Sequence, residues 1–400
     1  MTRRDFLLAL AAPRARITQI RLARIEGRFH KFVAMNSQDR APKGHTYSNT
    51  LLRIATDQGV EGVGVMGYAQ PDAAFHKAVE TLVGANPLDL YLWQEGRITG
   101  RASRVLETYK HLDGPLFDLI GKLAGVPCWK LIGPAARERV EVYDGTLYLS
   151  DVWFRDRGVR AVVEEAEEAW KSGYRGVKLK IGRGARWMER EAGLKRDIEV
   201  IQAVRVALGP KAKLLVDANN AFRGDLEGAW RLIADTAEAQ LYWLEELFPE
   251  DAGHYARLRD RIERAGIRVY LADGENFTDP RGFEPYLKPR RLVDVLQMDI
   301  RTGGFLGNLE TARLGQTAGA LSVPHNWGSQ VGLLMGLHLA KAAKSVIAAE
   351  DDRSTCDVIV AEGYSFRDGE YTVSDRPGLG IRVDEDVYRL KYTSGVSKAL

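Results

Sequence analysis

The chain has 400 residues, too many for one small hydrophobic core, so two structural parts are expected. Lys and Arg number 57 against 54 Asp and Glu, a net charge of +3 with no basic patch or run, which argues against nucleic acid as the main partner. Two cysteines, Cys128 and Cys356, lack metal-ligand spacing, and no apolar run reaches membrane-spanning length.

At the N-terminus, Thr2-Arg3-Arg4-Asp5-Phe6 and the apolar run after it resemble the start of a twin-arginine export signal. The apolar part is short and Arg14 and Arg16 follow at once, so residues 1–16 are read as a truncated signal or a frayed start. A cytoplasmic location is the leading expectation and export the alternative. From Ile17 the pattern is antiparallel β: Ile17 to Leu22 is one strand and Asn49 to Thr56 another. The turn Asp57-Gln58-Gly59 leads into Val63-Gly64-Val65. Between the first two strands, His30 to Ser48 is polar and aperiodic, a mobile loop that can close over a site. Helical patterning runs from Asp72 to Leu131 and includes a helix from Pro115 that stops at Gly125-Val126-Pro127. Gly133-Pro134 marks the boundary between a first unit, 17–134, and a second, 135–365. Residues 366–400 are expected to return to the first unit.

The second unit has a regular beat. Val140 to Tyr143 opens it, and Val177-Lys178-Leu179-Lys180-Ile181 follows. Short apolar runs then end in Asp217, Glu245, Glu275, Asp299, His325 and Glu350, at intervals of 24 to 37 residues counted from Lys180. Such intervals hold one strand, one helix and two loops, the repeat of a (β/α)8 barrel, whose functional groups stand at the C-terminal ends of its strands. Helices are expected over 160–172, 190–208, 225–236, 251–265, 281–287, 305–318 and 330–344.

Strand alternation tests which side chains meet. Lys178 and Lys180 share a face, with Val177, Leu179 and Ile181 on the other. Asp217 points inward with Leu215. Glu245 points inward and Glu246 away, while Asp273 and Glu275 point in together. Three inward carboxylates, Asp217, Glu245 and Glu275, cannot all stay ionised in a desolvated site without a partner. A hard divalent cation with all-oxygen ligation resolves this, which suggests Mg²⁺. Lys180 and His325 lie on opposite sides of the mouth. Asp299 can orient the imidazole, and Lys178 and the cation can depress the Lys180 pKa by like charge. Glu350 can donate to a substrate oxygen if protonated, or pair with a lysine. Two bases facing each other across a cation suit removal and return of a proton beside a carboxylate.

These residues resemble the enolase superfamily and, within it, the mandelate racemase subgroup, over roughly residues 17–390. Lys178-Leu179-Lys180 is similar to the lysine-x-lysine motif whose second lysine is the base. Asp217, Glu245 and Glu275 match its metal ligands, and Asp299 with His325 matches its dyad. The resemblance implies a modified α/β TIM barrel with an α+β capping domain built from both chain ends, Mg²⁺ as cofactor and a small-molecule carboxylate substrate. No nucleic acid or membrane partner is expected; a homo-oligomer is. Here Glu245-Glu246 precedes Leu247-Phe248-Pro249, whereas proline often follows the acidic pair directly. Asp299 stands where the muconate-cycloisomerase branch carries a lysine. Dehydration of an acid sugar is the leading activity. Racemisation or epimerisation of a 2-hydroxy acid is the alternative, and a barrel that only binds a carboxylate is a third reading.

Overall fold

The computed structural model describes residues 14–67 and 70–392; the arginine pair at Arg3 and Arg4 lies outside them. Three antiparallel strands open the chain: β1 (Ile17–Val33), β2 (Gly44–Thr56) and β3 (Glu61–Val65), in the order β1-β2-β3. Their alternating apolar residues, among them Ile20, Leu22, Leu52 and Ile54, are buried. The helix α1 (Asp113–Ala124) packs on β3, where Gly62 and Gly64 leave no room for a Cβ beside Pro115 and Leu119. Asp118 of α1 accepts from the backbone of Val63 and Leu379, so one carboxylate ties the cap sheet to the C-terminal return. The small hairpin of β4 (Tyr91–Gln94) and β5 (Arg97–Arg101) completes this part.

Eight parallel strands follow. They are β6 (Arg139–Leu147), β7 (Gly176–Lys180), β8 (Lys213–Asp217), β9 (Trp243–Glu245), β10 (Tyr270–Asp273), β11 (Val295–Leu296), β12 (Leu321–Ser322) and β13 (Ala348–Asp351). Each pairs with the next in chain order up to β12, and β13 pairs with β6. A parallel bridge between Ser322 and Val346 closes the ring. Tyr143, Leu215, Trp243, Ala272, Val295, Val323 and Ala348 fill its interior. The alternate residues Val177, Leu179, Leu214, Val216, Leu244 and Leu271 pack outward into the main core. A filled floor leaves only the C-terminal mouth for chemistry.

Helices occupy the expected intervals: α2 (Val159–Lys171), α3 (Arg190–Leu208), α4 (Leu226–Asp235), α5 (Ala252–Ala265), α6 (Ile300–Thr317) and α7 (Gln330–Ala342). Their starts carry side-chain caps. Asp225 accepts from Gly228, Asp251 from Gly253 and His254, and Ser329 from Gly332, each satisfying an orphan N–H of a first turn.

Two expectations change. The aperiodic stretch is shorter than His30 to Ser48, because β1 runs on to Val33 and β2 begins at Gly44. The remaining loop is docked on the barrel: Ser37 Oγ donates to the Ala218 carbonyl at 2.7 Å, and Leu149 N–H to Met35 at 2.8 Å. The C-terminal return also divides. The hairpin Ser365–Arg367 and Glu370–Thr372 adds antiparallel to the barrel strand β6, not to the cap. The chain beyond it reaches the cap, through Cys128 N–H to Gly378 at 2.8 Å and the ion pair of Glu385 with Arg53.

Candidate active site

The parallel register sets Lys180, Asp217 and Glu245 level with one another. Both lysines point into the barrel, as alternation requires, and both are buried. Lys178 Nζ lies 2.6 Å from Glu245 Oε1, 2.7 Å from Glu350 Oε1 and 3.5 Å from Asp217 Oδ2. Lys180 Nζ is ion-paired with Asp217 Oδ2, and its ammonium lies 5.3 Å from the centroid of the Tyr148 ring.

The protein's own side chains, without the cation that the expectation included, bias the Lys180 pKa upward. Burial and Lys178 pull it down, but Asp217, Glu275 and Glu245 outweigh them and the net shift is upward. Asp217 responds in kind: burial disfavours its charge, yet the two lysines hold it well below the usual carboxylate range. With Asp217 free to pair, the lysine is a stabilised ammonium.

The carboxylates that converge are Asp217, Glu246 and Glu275, whose oxygens lie within 4.8 Å of one another. This corrects the alternation argument at the acidic pair. β9 ends at Glu245, and Glu246 has φ 46°, so the backbone turns there and swings its side chain over the mouth. Glu246 accepts from Asn219 Nδ2 at 2.9 Å and Asn276 Nδ2 at 2.8 Å. Glu245 stays one layer deeper, between Lys178, Trp243 Nε1 and Gln297 Nε2. A second correction concerns Asp273, which points outward with Leu271 toward Tyr255 and Tyr286; burial raises its carboxyl to about 8. Gly274, with φ 109°, then breaks the alternation and brings Glu275 back to the mouth.

Glu246 has only amide donors, and burial together with the charges of Glu275 and Asp217 drives its pKa well above the ordinary value. Three crowded carboxylate oxygens, one of them without a cationic partner, suit a hard divalent cation.

Across the mouth, Asp299 and His325 face each other as a parallel bridge between the chain ends following β11 and β12. His325 Nδ1 is 2.9 Å from Asp299 Oδ2, and Nε2 is 3.2 Å from Glu275 Oε2. Burial opposes the imidazolium, but the two carboxylates raise its pKa from 6.5 to about 9. Asp299 also caps α6, accepting from Arg301 and Thr302 N–H at 3.0 and 2.7 Å. It is thereby fixed from both sides. Glu350 accepts from the Asn326 N–H at 3.1 Å besides pairing with Lys178.

Residues 161–387 match the family described as enolase C-terminal domain-like. The chain belongs to the enolase superfamily. Relatives match most of its length. A galacturonate dehydratase from Geobacillus sp., solved with D-galacturonate and 5-keto-4-deoxy-D-galacturonate, superposes with a TM-score of 0.82 at 30% identity, over 94% of this chain and 96% of that one. The E234A mutant of that enzyme, at the same score and identity over 94% of this chain and 95% of that one, was solved with Mg. D-xylonate dehydratase of Haloferax volcanii is 28% identical over 87% of this chain and 86% of its own. D-galactarolactone cycloisomerase of Agrobacterium fabrum is 29% identical over 85% and 90%. The sequence reading weighed Glu246 against Glu245 and set it aside; the structure brings Glu246, and not Glu245, within 4.8 Å of Asp217 and Glu275, and places Asn219, Asn276 and Tyr148 beside them.

Proposed function

We propose that this chain is a Mg²⁺-dependent acid-sugar dehydratase. The observation that carries the reading is the order of groups across the mouth: Lys180 on Asp217, then the cluster with Glu246 and Glu275, then His325 on Glu275. A carboxylate cluster flanked by two bases is built to act on the carbon between them. Relatives named for dehydration of xylonate, arabinonate and galacturonate support the substrate class.

Asp217, Glu246 and Glu275 are the residues that would hold Mg²⁺, which is found with the galacturonate dehydratase mutant. When bound, the cation supplies Lewis-acid stabilisation of the enediolate formed at the substrate carboxylate. Lys180 and His325 handle the protons, one taking the proton α to the carboxylate. The β-hydroxyl then leaves with a proton donated by His325. The β-hydroxide and the His325 proton make the water released, the α-proton stays on Lys180, and the enol left behind takes a proton at the β-carbon to become a 2-keto-3-deoxy acid. Asp299 holds Nδ1 so that Nε2 faces the cluster. Lys178 and Glu350 form the floor on which a substrate carboxylate can sit. Racemisation would use the same opposed bases, one on each face of the carbon.

The test is a panel of aldonates, uronates and aldarates with Mg²⁺, followed for keto-acid formation and for α-deuterium incorporation from D₂O. Keto-acid product with one member establishes the dehydratase. Exchange with inversion and no keto acid would replace it with the racemase reading, and neither reaction with any member would remove catalysis of this class.

A further inference from the structure

Tyr148 is the first residue beyond β6 and its side chain is 2% exposed, although no sequence argument singles it out. Its ring has two neighbours with different characters. On one side is the Lys180 ammonium, 5.3 Å from the ring centroid. On another is Trp327, 4.9 Å away and tilted by 32°, two residues beyond His325. Trp327 in turn stacks on Phe29 of the cap strand β1, at 4.9 Å and 25°. A column of three rings therefore runs from the cap to the lysine, and Tyr148 is the end that touches it.

Lys180 is otherwise held by Asp217, while Lys178, which lies 3.5 Å from the same Asp217 oxygen, repels it. Asp217 also belongs to the carboxylate cluster. Once that carboxylate is committed to a cation, Lys180 loses its ionic anchor and keeps its aromatic one. The ring face attracts the ammonium without competing for the cation, because its partial negative charge lies in the π system.

We propose that Tyr148 is a positioning residue whose ring holds the Lys180 side chain in place when Asp217 is engaged by the cation, attracting most strongly the ammonium that forms as Lys180 takes the α-proton. This rests on the reading of Lys180 as a base, and the experiment separates the two. Misplacing a reacting group by about 1 Å can cost about a hundredfold in rate. With Mg²⁺ and D-galacturonate, D-galactonate or D-xylonate, Tyr148→Leu should slow α-deuterium exchange by at least about tenfold. Tyr148→Phe, which keeps the ring, should stay within about twofold, and so should Phe29→Leu, which disturbs the ring column without touching Lys180.

Crystal structures of the Mg²⁺-loaded protein supply a readout that needs no substrate. Lys180 Nζ should sit over the ring in the wild type and in Tyr148→Phe, and be displaced in Tyr148→Leu. An undisplaced Lys180 in Tyr148→Leu, or equal losses of exchange in Tyr148→Leu and Phe29→Leu, would overturn the positioning role. Exchange that survives Lys180→Ala would overturn the base assignment and the positioning role with it.

Discussion

The two bases at the barrel mouth are held by opposite means. Lys180 leans on Asp217, a member of the carboxylate cluster, so its partner is the group a cation would claim. His325 is held at Nδ1 by Asp299, which stands outside the cluster and is locked by the first turn of α6. The lysine side is therefore sensitive to the cation by construction. The histidine side touches the cluster only through Nε2 on Glu275, while its Nδ1 anchor on Asp299 is not one a cation would claim. A base tied to a metal ligand is released by the metal; a base tied to a helix cap is ready beforehand.

The largest break in this comparison should come from Asp217. Excess chelator should abolish turnover, and Asp217→Asn should lose both Mg²⁺ binding by calorimetry and activity, since it removes a ligand and the lysine's partner together. Full turnover with chelator present and no bound metal would remove the cation from the scheme.

Next come the bases. General acid–base groups contribute about 10² to 10⁴ in rate, so Lys180→Ala and His325→Asn should each cost that much in kcat. In a dehydratase only one of the two should lose α-deuterium exchange, the other exchanging without expelling the hydroxyl. Asp299→Asn should resemble His325→Asn in kind and be milder, with Mg²⁺ affinity unchanged. A fall in Mg²⁺ affinity there would contradict the separation of the two sides.

The acidic pair should give a smaller effect. Glu246→Gln should weaken Mg²⁺ binding by about ten- to a hundredfold and Glu245→Gln by less, because Glu245 is engaged with Lys178. The reverse order would make Glu245 the ligand, drawn off Lys178 when the cation arrives.

An effect on stability alone, with none on catalysis, sharpens the contrast through another histidine. His111, in the cap, is buried without a carboxylate partner, and burial lowers its pKa from 6.5 to about 4. The unfolded chain then binds a proton that the folded chain refuses, so this stability is present above pH 6.5 and lost as pH falls from 6.5 through 4. The loss is at most about 3 kcal/mol. Denaturant titrations of wild type and His111→Gln should converge as the pH falls through that window. Parallel curves would exclude His111 as the source.

The positions of Lys180, Asp217 and His325 were legible because strand alternation and the βα interval are local consequences of backbone geometry. Hydrophobic runs such as Leu214-Leu215-Val216 declare a strand buried on both faces, and the residue that ends the run stands at the mouth. The same rule failed at Glu246 and Glu275. Alternation holds only while the strand continues, and it ends at Glu245 and is broken at Gly274 by positive φ. Nothing in a Glu-Glu pair states which residue takes the turn. The sequence by itself determined the barrel, the superfamily and the placement of Lys180 and His325 at its mouth, because these depend on spacing and on residue type. Only the tertiary structure decided which glutamate lies beside Asp217, that Lys180 pairs with Asp217, and that a tyrosine just beyond β6 lies on the lysine. Those outcomes depend on distances between segments far apart in the chain, which burial and charge set once the ring has closed.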